Sequence, residues 1–231
     1  VKGWEVAEEV VLSTFSFSKY LMWKDLVEHS DQLKRNAVVR HLLETPRAPY
    51  SSKGSIPNPA DLDSDFPPER TFTLLPADSS QLAAIMAAAS GKDFIIEGPP
   101  GTGKSQTIAN MIAQCLAEGL TVLFVSEKSA ALNVVYRRLC DVGLGDFCLE
   151  LHSNKARKTD VLEQLRRAWE AQGEVDPQEW AREAARLKKL RDELNIFVRK
   201  LHEVHANGLT PFLAMGEVVR DRHLPRIELN W

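Results

Sequence analysis

The sequence predicts an α/β fold: a partial parallel sheet carrying a helical hairpin, preceded by a small N-terminal α+β segment. Three observations predict it. Short apolar runs alternate with helix-period stretches between residues 93 and 151, the order that builds parallel sheets through crossover helices. The octet Gly98-Pro99-Pro100-Gly101-Thr102-Gly103-Lys104-Ser105 stands between the first of these runs and its helix. Leucines at heptad spacing then dominate residues 180–204.

Bulk properties set the limits. A chain of 231 residues can bury a real core, and 44% hydrophobic with 26% charged residues is the make-up of an ordinary globular protein rather than a disordered one. The net charge is -3. Only residues 153–200 are net basic, with 12 bases against 9 acids, which suits either a polyanion partner or a solvated helical face. Cys115, Cys140 and Cys148 are spaced for neither a zinc site nor a disulfide framework, so a reducing, cytoplasmic setting is expected. No apolar run approaches the ~18 residues of a membrane span and no secretory signal is recognisable. The chain opens on Val1 rather than Met and reads as a piece of something longer.

The elements follow in order. In the N-terminal segment 1–45, residues 9–17 read as a strand, and Lys19–His29 and Gln32–Glu44 as short helices. Residues 46–74 hold Pro46, Pro49, Pro57, Pro59, Pro67 and Pro68 among Asp61, Asp63 and Asp65, the composition of a mobile loop or linker. A third region, 75–157, starts with a helix to about Ser90 that opens on Asp78-Ser79-Ser80-Gln81, Asp78 and Gln81 standing at capping-box spacing. Asp93–Glu97, Thr121–Ser126 and Phe147–Leu151 read as buried parallel strands. Ile108, Met111, Ile112, Cys115 and Leu116 line one face of the helix after the first strand, with Gly119 as its stop. Leu132, Val135, Tyr136 and Leu139 do the same in Ser129–Leu139. Ligands of such sheets sit at the carboxyl ends of the strands. One rim should therefore gather Lys104, Glu127, Lys128, His152, Asn154, Lys155, Arg157 and Lys158.

Residues 158–206 are the predicted hairpin. Val161–Glu170 forms its short arm. Its long arm starts at Asp176-Pro177-Gln178-Glu179, a cap, a proline at the first helical position and a capping-box glutamate. It continues for ~40 Å at 1.5 Å per residue, with Trp180, Leu187, Leu194 and Leu201 in one seam and Leu190, Phe197 and Val204 in the other. Such coiled-coil-like spacing serves packing within one chain, or else oligomerisation or gating of a strand. In residues 207–231, Thr210-Pro211 starts one further short helix.

The octet is a complete G-x-x-x-x-G-K-[ST] loop, the Walker A or P-loop pattern, in the strand–loop–helix order that the pattern requires. Gly98, Gly101 and Gly103 let successive N–H groups turn toward phosphate oxygens. The helix start adds its positive dipole end. Lys104 reaches the β- and γ-phosphates as the catalytic cation, and the Ser105 hydroxyl completes the coordination of Mg²⁺. Gly98, Pro99, Pro100, Gly101, Thr102, Gly103, Lys104, Ser105 and Gln106 form the expected contact set for ATP with Mg²⁺.

With these residues in view, the chain resembles a superfamily 1 helicase. Gly98–Thr107 (GPPGTGKSQT), Gln81 and Val122–Lys128 stand in the order of that family's motifs I, Q and Ia. The segments DSSQLAAI, GPPGTGKSQTIANMIA, VLFVSEKSAALNVV and GLGDFCLELHS are similar to those of large bacterial helicase-like proteins of the Upf1-like branch. The resemblance covers roughly Leu75 to Arg157 and implies a RecA-like ATPase domain. It implies that Gln81 contacts the adenine edge, although Gln81 equally closes the Asp78 capping box. It implies that Lys128 touches a nucleic-acid phosphate, a role that a surface lysine beside a helix imitates. Lys155 and Arg157 either extend that track or are solvated loop charges. The implied partner is a single strand, DNA in preference to RNA.

The departures are as informative. A hydrolytic site of this type needs an apolar strand ending in Asp-Glu and an arginine finger. The only Asp-Glu pair after the loop is Asp192-Glu193, inside the heptad helix. The chain is therefore expected to carry the ATP-binding portion of a helicase-like ATPase and to be inactive alone. Two other readings stand beside this one: a different P-loop ATPase of the AAA+ type, and a non-catalytic, nucleotide-sensing interaction module.

Overall fold

The computed structural model describes residue 10 and residues 17–52, 54–151, 158–171 and 176–223. It divides into two compact units, Val1–Lys53 and Gly54–Trp231.

The first unit holds α1 (Ser18–Glu28), α2 (Ser30–Leu33) and α3 (Ala37–Glu44). The single helix expected over Gln32–Glu44 is broken because Asn36 caps rather than continues. Its Oδ1 accepts from the N–H groups of Val38 at 2.9 Å and Val39 at 3.2 Å, which starts α3 afresh. The strand expected over residues 9–17 lies outside the described residues apart from Val10 and Phe17, neither of which is in a strand.

The second unit holds α4 (Leu62–Asp65), α5 (Ser79–Ala89), α6 (Lys104–Ala117), α7 (Ser129–Asp141), α8 (Lys158–Glu170), α9 (Pro177–Leu201) and α10 (Pro211–Arg220), with 3-10 turns at Pro68–Arg70 and Gly145–Phe147. Its core lies among α5, α6 and α7. Ala109 and Ile112 of α6 meet Val135 and Leu139 of α7, flanked by Leu75, Phe124 and Cys148. On α5, Ala83 and Ala87 are buried one turn apart beside Ile85 and Met86, and the small alanines let α5 lie close on α6.

The predicted parallel sheet is not there: no β-strand forms among the described residues. Residues 93–97, 121–126 and 148–151 carry no regular secondary structure, and Gly145–Phe147 closes into a 3-10 turn at the start of the third run. A strand exists only through a ladder to its neighbour, and apolar content alone does not supply the neighbour. Ile95 and Leu123 are each 87% exposed and Val125 75%, so these runs are not the buried central strands their composition suggested. Leu123, Val125, Leu149 and Leu151 instead line an open apolar groove of about 1060 Å³ beside Ile112 and Leu116. Without a sheet, the rim that was to gather Lys104, Glu127, Lys128 and Lys158 at strand ends is not built. His152, Asn154, Lys155 and Arg157 lie outside the described residues.

Of the expected hairpin, the C-terminal arm is one helix of 25 residues; among the described residues α8 packs on the Gly145–Phe147 turn and α9 mainly on the Pro68–Arg70 turn. Leu187, Leu194, Phe197 and Leu162 remain exposed. The face of α9 in use runs through Trp180, Ala184, Arg191 and Asn195, spaced by four, seven and four. Trp180 stacks on Phe72 with ring centroids 5.3 Å apart and donates from Nε1 to the Glu69 carbonyl at 3.4 Å. Arg191 donates to the Phe66 carbonyl at 3.0 Å, and Asn195 to Asp63 at 2.7 Å. At the start of α9, Asp176 accepts from the Gln178 N–H at 2.9 Å behind Pro177. The reciprocal glutamate half of the expected capping box does not form.

Residues 62–76 thus run as a strap, held by α9 on one side and by α6 on the other. Three amide side chains, one turn apart on α6, grip its backbone. Gln106 donates to the Pro76 carbonyl. Asn110 accepts from the N–H groups of Leu74 at 3.0 Å and Leu75 at 2.9 Å and donates to the Leu75 carbonyl at 2.8 Å. Gln114 accepts from Phe72 N–H at 2.7 Å and donates to the Arg70 carbonyl at 2.9 Å. Asn110 and Gln114 are almost wholly buried. They offer the strap the donor–acceptor alternation that a neighbouring strand would have offered.

Candidate functional site

The octet forms a tight loop between residue 97 and α6. Gly103 is the N-cap of α6 with φ 78°, in the left-handed region that favours glycine. A Cβ there would also stand 2.7 Å from Gln81 Nε2, the far end of a side chain that would have to shift. At Gly98 a Cβ would meet Thr102 Oγ1 at 2.7 Å. Thr102 closes the loop from within by donating its hydroxyl to the Pro99 carbonyl at 2.9 Å.

No side chain caps α6. Its first N–H groups have no preceding turn to bond and carry the positive end of the helix dipole. Lys104 is exposed, and its ammonium donates to the carbonyls of Gly98 and, at 2.8 Å, Pro99. The loop's cation is thus held over the loop itself, on weak neutral acceptors that an anionic oxygen would outcompete. Ser105 is half-buried at the second position of α6. Below it, buried Thr107 donates its hydroxyl to the Gly103 carbonyl at 3.2 Å, which ties the cap to the first turn.

Lys104, Ser105 and the three loop glycines are therefore brought together, and Pro99, Pro100 and Thr102 shape the turn between them. Gln106 points to the strap, where Pro76 accepts from it. Gln81 lies against the loop: its Nε2 donates to the Thr102 carbonyl at 3.0 Å, and its Oε1 accepts from Asp78 N–H at 3.1 Å. The Asp78 carboxylate accepts from Gln81 N–H at 2.8 Å, completing the capping box on α5. Lys128 is the exposed N-cap of α7, and its N–H lies 3.3 Å from Ser126 Oγ.

For magnesium, the described residues contain no group of three acidic, histidine or cysteine side chains. The donor set on offer is the Ser105 hydroxyl. That fits an ion carried in on phosphate oxygens and keeping several waters, as Mg²⁺ does. On α9, Asp192 is half-buried and Glu193 exposed, and they are paired with Lys188 at 2.7 Å and Lys189 at 4.0 Å. The Lys188 ammonium holds the Asp192 carboxyl below its ordinary range.

Sequence reading missed Asn110 and Gln114, which hold the strap beside the loop. The signal is present as amides at 106, 110 and 114, one turn apart on a helix whose neighbouring face is apolar.

With this geometry in hand, comparison with known proteins gives one family. The AAA_11 model, described as an AAA domain, matches residues 76–202, more than half of the chain. The chain belongs to this family. Among curated proteins it is similar to an uncharacterized ATP-dependent helicase of Mycoplasma genitalium, with 51% identity over 69 residues, 30% of this chain and 6% of the relative. A homologue from Mycoplasma pneumoniae matches equally. The DNA-binding protein SMUBP-2 of Rattus norvegicus is 39% identical over 87 residues, 37% of this chain and 8% of the relative. The chain thus spans under a tenth of the length of these relatives. No solved structure matches it significantly. The resemblance to Upf1-like superfamily 1 helicases holds. No helix of the described residues is long and apolar enough to cross a membrane.

Proposed function

We propose that residues 98–105 hold the triphosphate of ATP with its Mg²⁺, and that the chain is the nucleotide-binding portion of a helicase-like ATPase. The observation that carries this is the uncapped start of α6 behind a left-handed Gly103, with the Lys104 ammonium held over the same loop. Backbone N–H groups bind the phosphates, Lys104 pairs with the terminal ones, and Ser105 with phosphate oxygens and water completes the metal's shell.

In the whole protein, ATP hydrolysis would drive movement along a single strand, DNA in preference to RNA, with Lys128 as a phosphate contact. The printed names of the relatives, an ATP-dependent helicase and a DNA-binding protein, support this. The three free thiols suit a cytoplasmic setting. Hydrolysis is not expected of this chain alone, since its Asp-Glu pair is spent on surface ion pairs of α9. The interaction-module reading gains no observation of its own, and the relatives' names, a helicase and a DNA-binding protein, favour the helicase reading over another AAA-type ATPase.

The test is equilibrium binding of a fluorescent ATP analogue with Mg²⁺ to the wild type and to Lys104→Ala. Saturable binding weakened at least about tenfold by the substitution is expected, given the strength of charge-assisted contacts. Equal binding by both would refute the cradle.

A further inference from the structure

We propose that Cys140 and Cys148 form an oxidation site, a thiol pair that a peroxide converts into a disulfide across the Gly145–Phe147 turn. The two residues stand on either side of that turn. Cys140, exposed and next to last in α7, lays its sulfur over Gly145, where an added Cβ would meet Sγ at 2.9 Å. The Tyr136 hydroxyl, one turn back on α7, donates to the same sulfur. Half-buried Cys148 follows the turn. Its N–H donates to the Gly145 carbonyl at 3.1 Å, and its thiol to the Leu144 carbonyl at 3.3 Å. Both sulfurs thus border the Leu144–Gly145 peptide. Burial pushes the Cys148 thiol up, and the charge of Cys140 adds to the push, as it does only at short range.

Gly145 gives the pair its room. It has no positive φ, so the backbone does not ask for glycine at this position. The space a side chain would fill is taken by Cys140, whose Cα and Cβ would stand 3.5 and 3.6 Å from an added Cβ.

The chemistry suits one accessible thiol beside a resolving one. The Cys140 thiolate attacks an oxygen of hydrogen peroxide, the O–O bond breaks, and hydroxide leaves to become water. The Cys148 sulfur then attacks the resulting sulfenic acid at sulfur. The S–S bond forms, the S–O bond breaks, and the hydroxide leaves as a second water with the Cys148 proton. Two thiols lose two electrons and the peroxide gains them; a thiol reductant reverses the step by exchange. The bond would act on the apolar groove. Cys148 packs on the core between α6 and α7, and Leu149 and Leu151 line the groove next to it. Tying Cys148 to the end of α7 therefore restrains one wall.

The test treats the reduced, folded 231-residue chain with hydrogen peroxide, blocks it with N-ethylmaleimide and digests it with trypsin. Residues 139–155 should appear as a single peptide short of two hydrogens and free of maleimide, and dithiothreitol before blocking should restore both thiols. Hydrogen exchange at Leu149 and Leu151 should slow in the oxidised chain, and unchanged exchange would overturn the effect on the groove. In Cys148→Ser and Cys148→Ala the sulfenic acid has no partner, so dimedone should label Cys140 several-fold more than in the wild type. Equal dimedone labelling in all three would overturn the proposal. So would a wild-type chain that carries Cys140 as sulfinic acid with Cys148 still a free thiol. Either result would mean that the turn keeps the two Cβ atoms beyond the roughly 3.5–4.5 Å that a disulfide spans.

Discussion

Replacing Asn110 with alanine should destabilise the second unit by about 3 kcal/mol. The side chain has no exposed surface and makes three hydrogen bonds of 2.8 to 3.0 Å, all to the backbone of Leu74 and Leu75. Truncation leaves two N–H groups and one carbonyl without partners. Each orphaned buried group costs roughly 1–3 kcal/mol. Leu74 is 46% exposed, so water reaches part of the strap and the lower end applies, about 1 kcal/mol per group. Against a total stability on the order of 5–15 kcal/mol, that is a large loss. Urea unfolding followed by tryptophan fluorescence is the natural assay, because Trp180 stacks on Phe72 two residues from Leu74. Hydrogen exchange should rise first at Leu74 and Leu75. A loss under ~0.5 kcal/mol, the scale of an ordinary surface substitution, with unchanged exchange at those two amides, would refute the claim that the amide holds the strap.

Two further outcomes follow from the loop and the thiols. Gly103→Ala should cost about 1–2 kcal/mol from its left-handed φ of 78° alone. It should also displace the Gln81 amide, so adding Gln81→Ala should weaken triphosphate binding little further; additive losses in a double-mutant cycle would refute this. Among the cysteines, burial pushes the Cys115 and Cys148 thiols up from 9.0, with Glu118 adding to the first and Cys140 to the second. A raised thiol is less often thiolate near neutral pH, so exposed Cys140 should be alkylated by iodoacetamide at pH 7.5 well before the other two. Mass spectrometry of the time course checks the order, and early modification of Cys148 would contradict it.

Local signals were legible in the sequence because they are settled by neighbours within one turn. The Asp78–Gln81 box, Thr210 capping Leu213 at 3.1 Å and the glycine loop before α6 all stand where the residues placed them. Pairing was not legible. The runs at 93–97, 121–126 and 147–151 have the apolar character of strands, yet a ladder is a property of two segments, and none of these finds the other. The leucine heptad misled for a related reason: periodicity identifies a helix and its apolar stripe but not which stripe is used. On α9 the used stripe passes through Arg191 and Asn195, whose polarity argued for solvent. Asn110 and Gln114 escaped notice in the same way, as polar residues whose partners are backbone groups some 35 to 44 positions away.

The choice of amides rather than aliphatic side chains on that face of α6 has a consequence for the loop. Apolar contact is non-directional and would tolerate the strap sliding along the helix. Asn110 and Gln114 require an N–H and a carbonyl at set places, so they fix the register of residues 70–75, and Gln106 fixes Pro76. A slip of one residue would move the following chain by roughly 3.3 Å, the rise of an extended residue. Asp78 and Gln81 begin two residues beyond Pro76. A displacement of that size exceeds the whole 3.0 Å length of the bond from Gln81 to Thr102. The register of the strap and the placement of the glycine loop against α5 are therefore set together, and the amide stripe on α6 sets both.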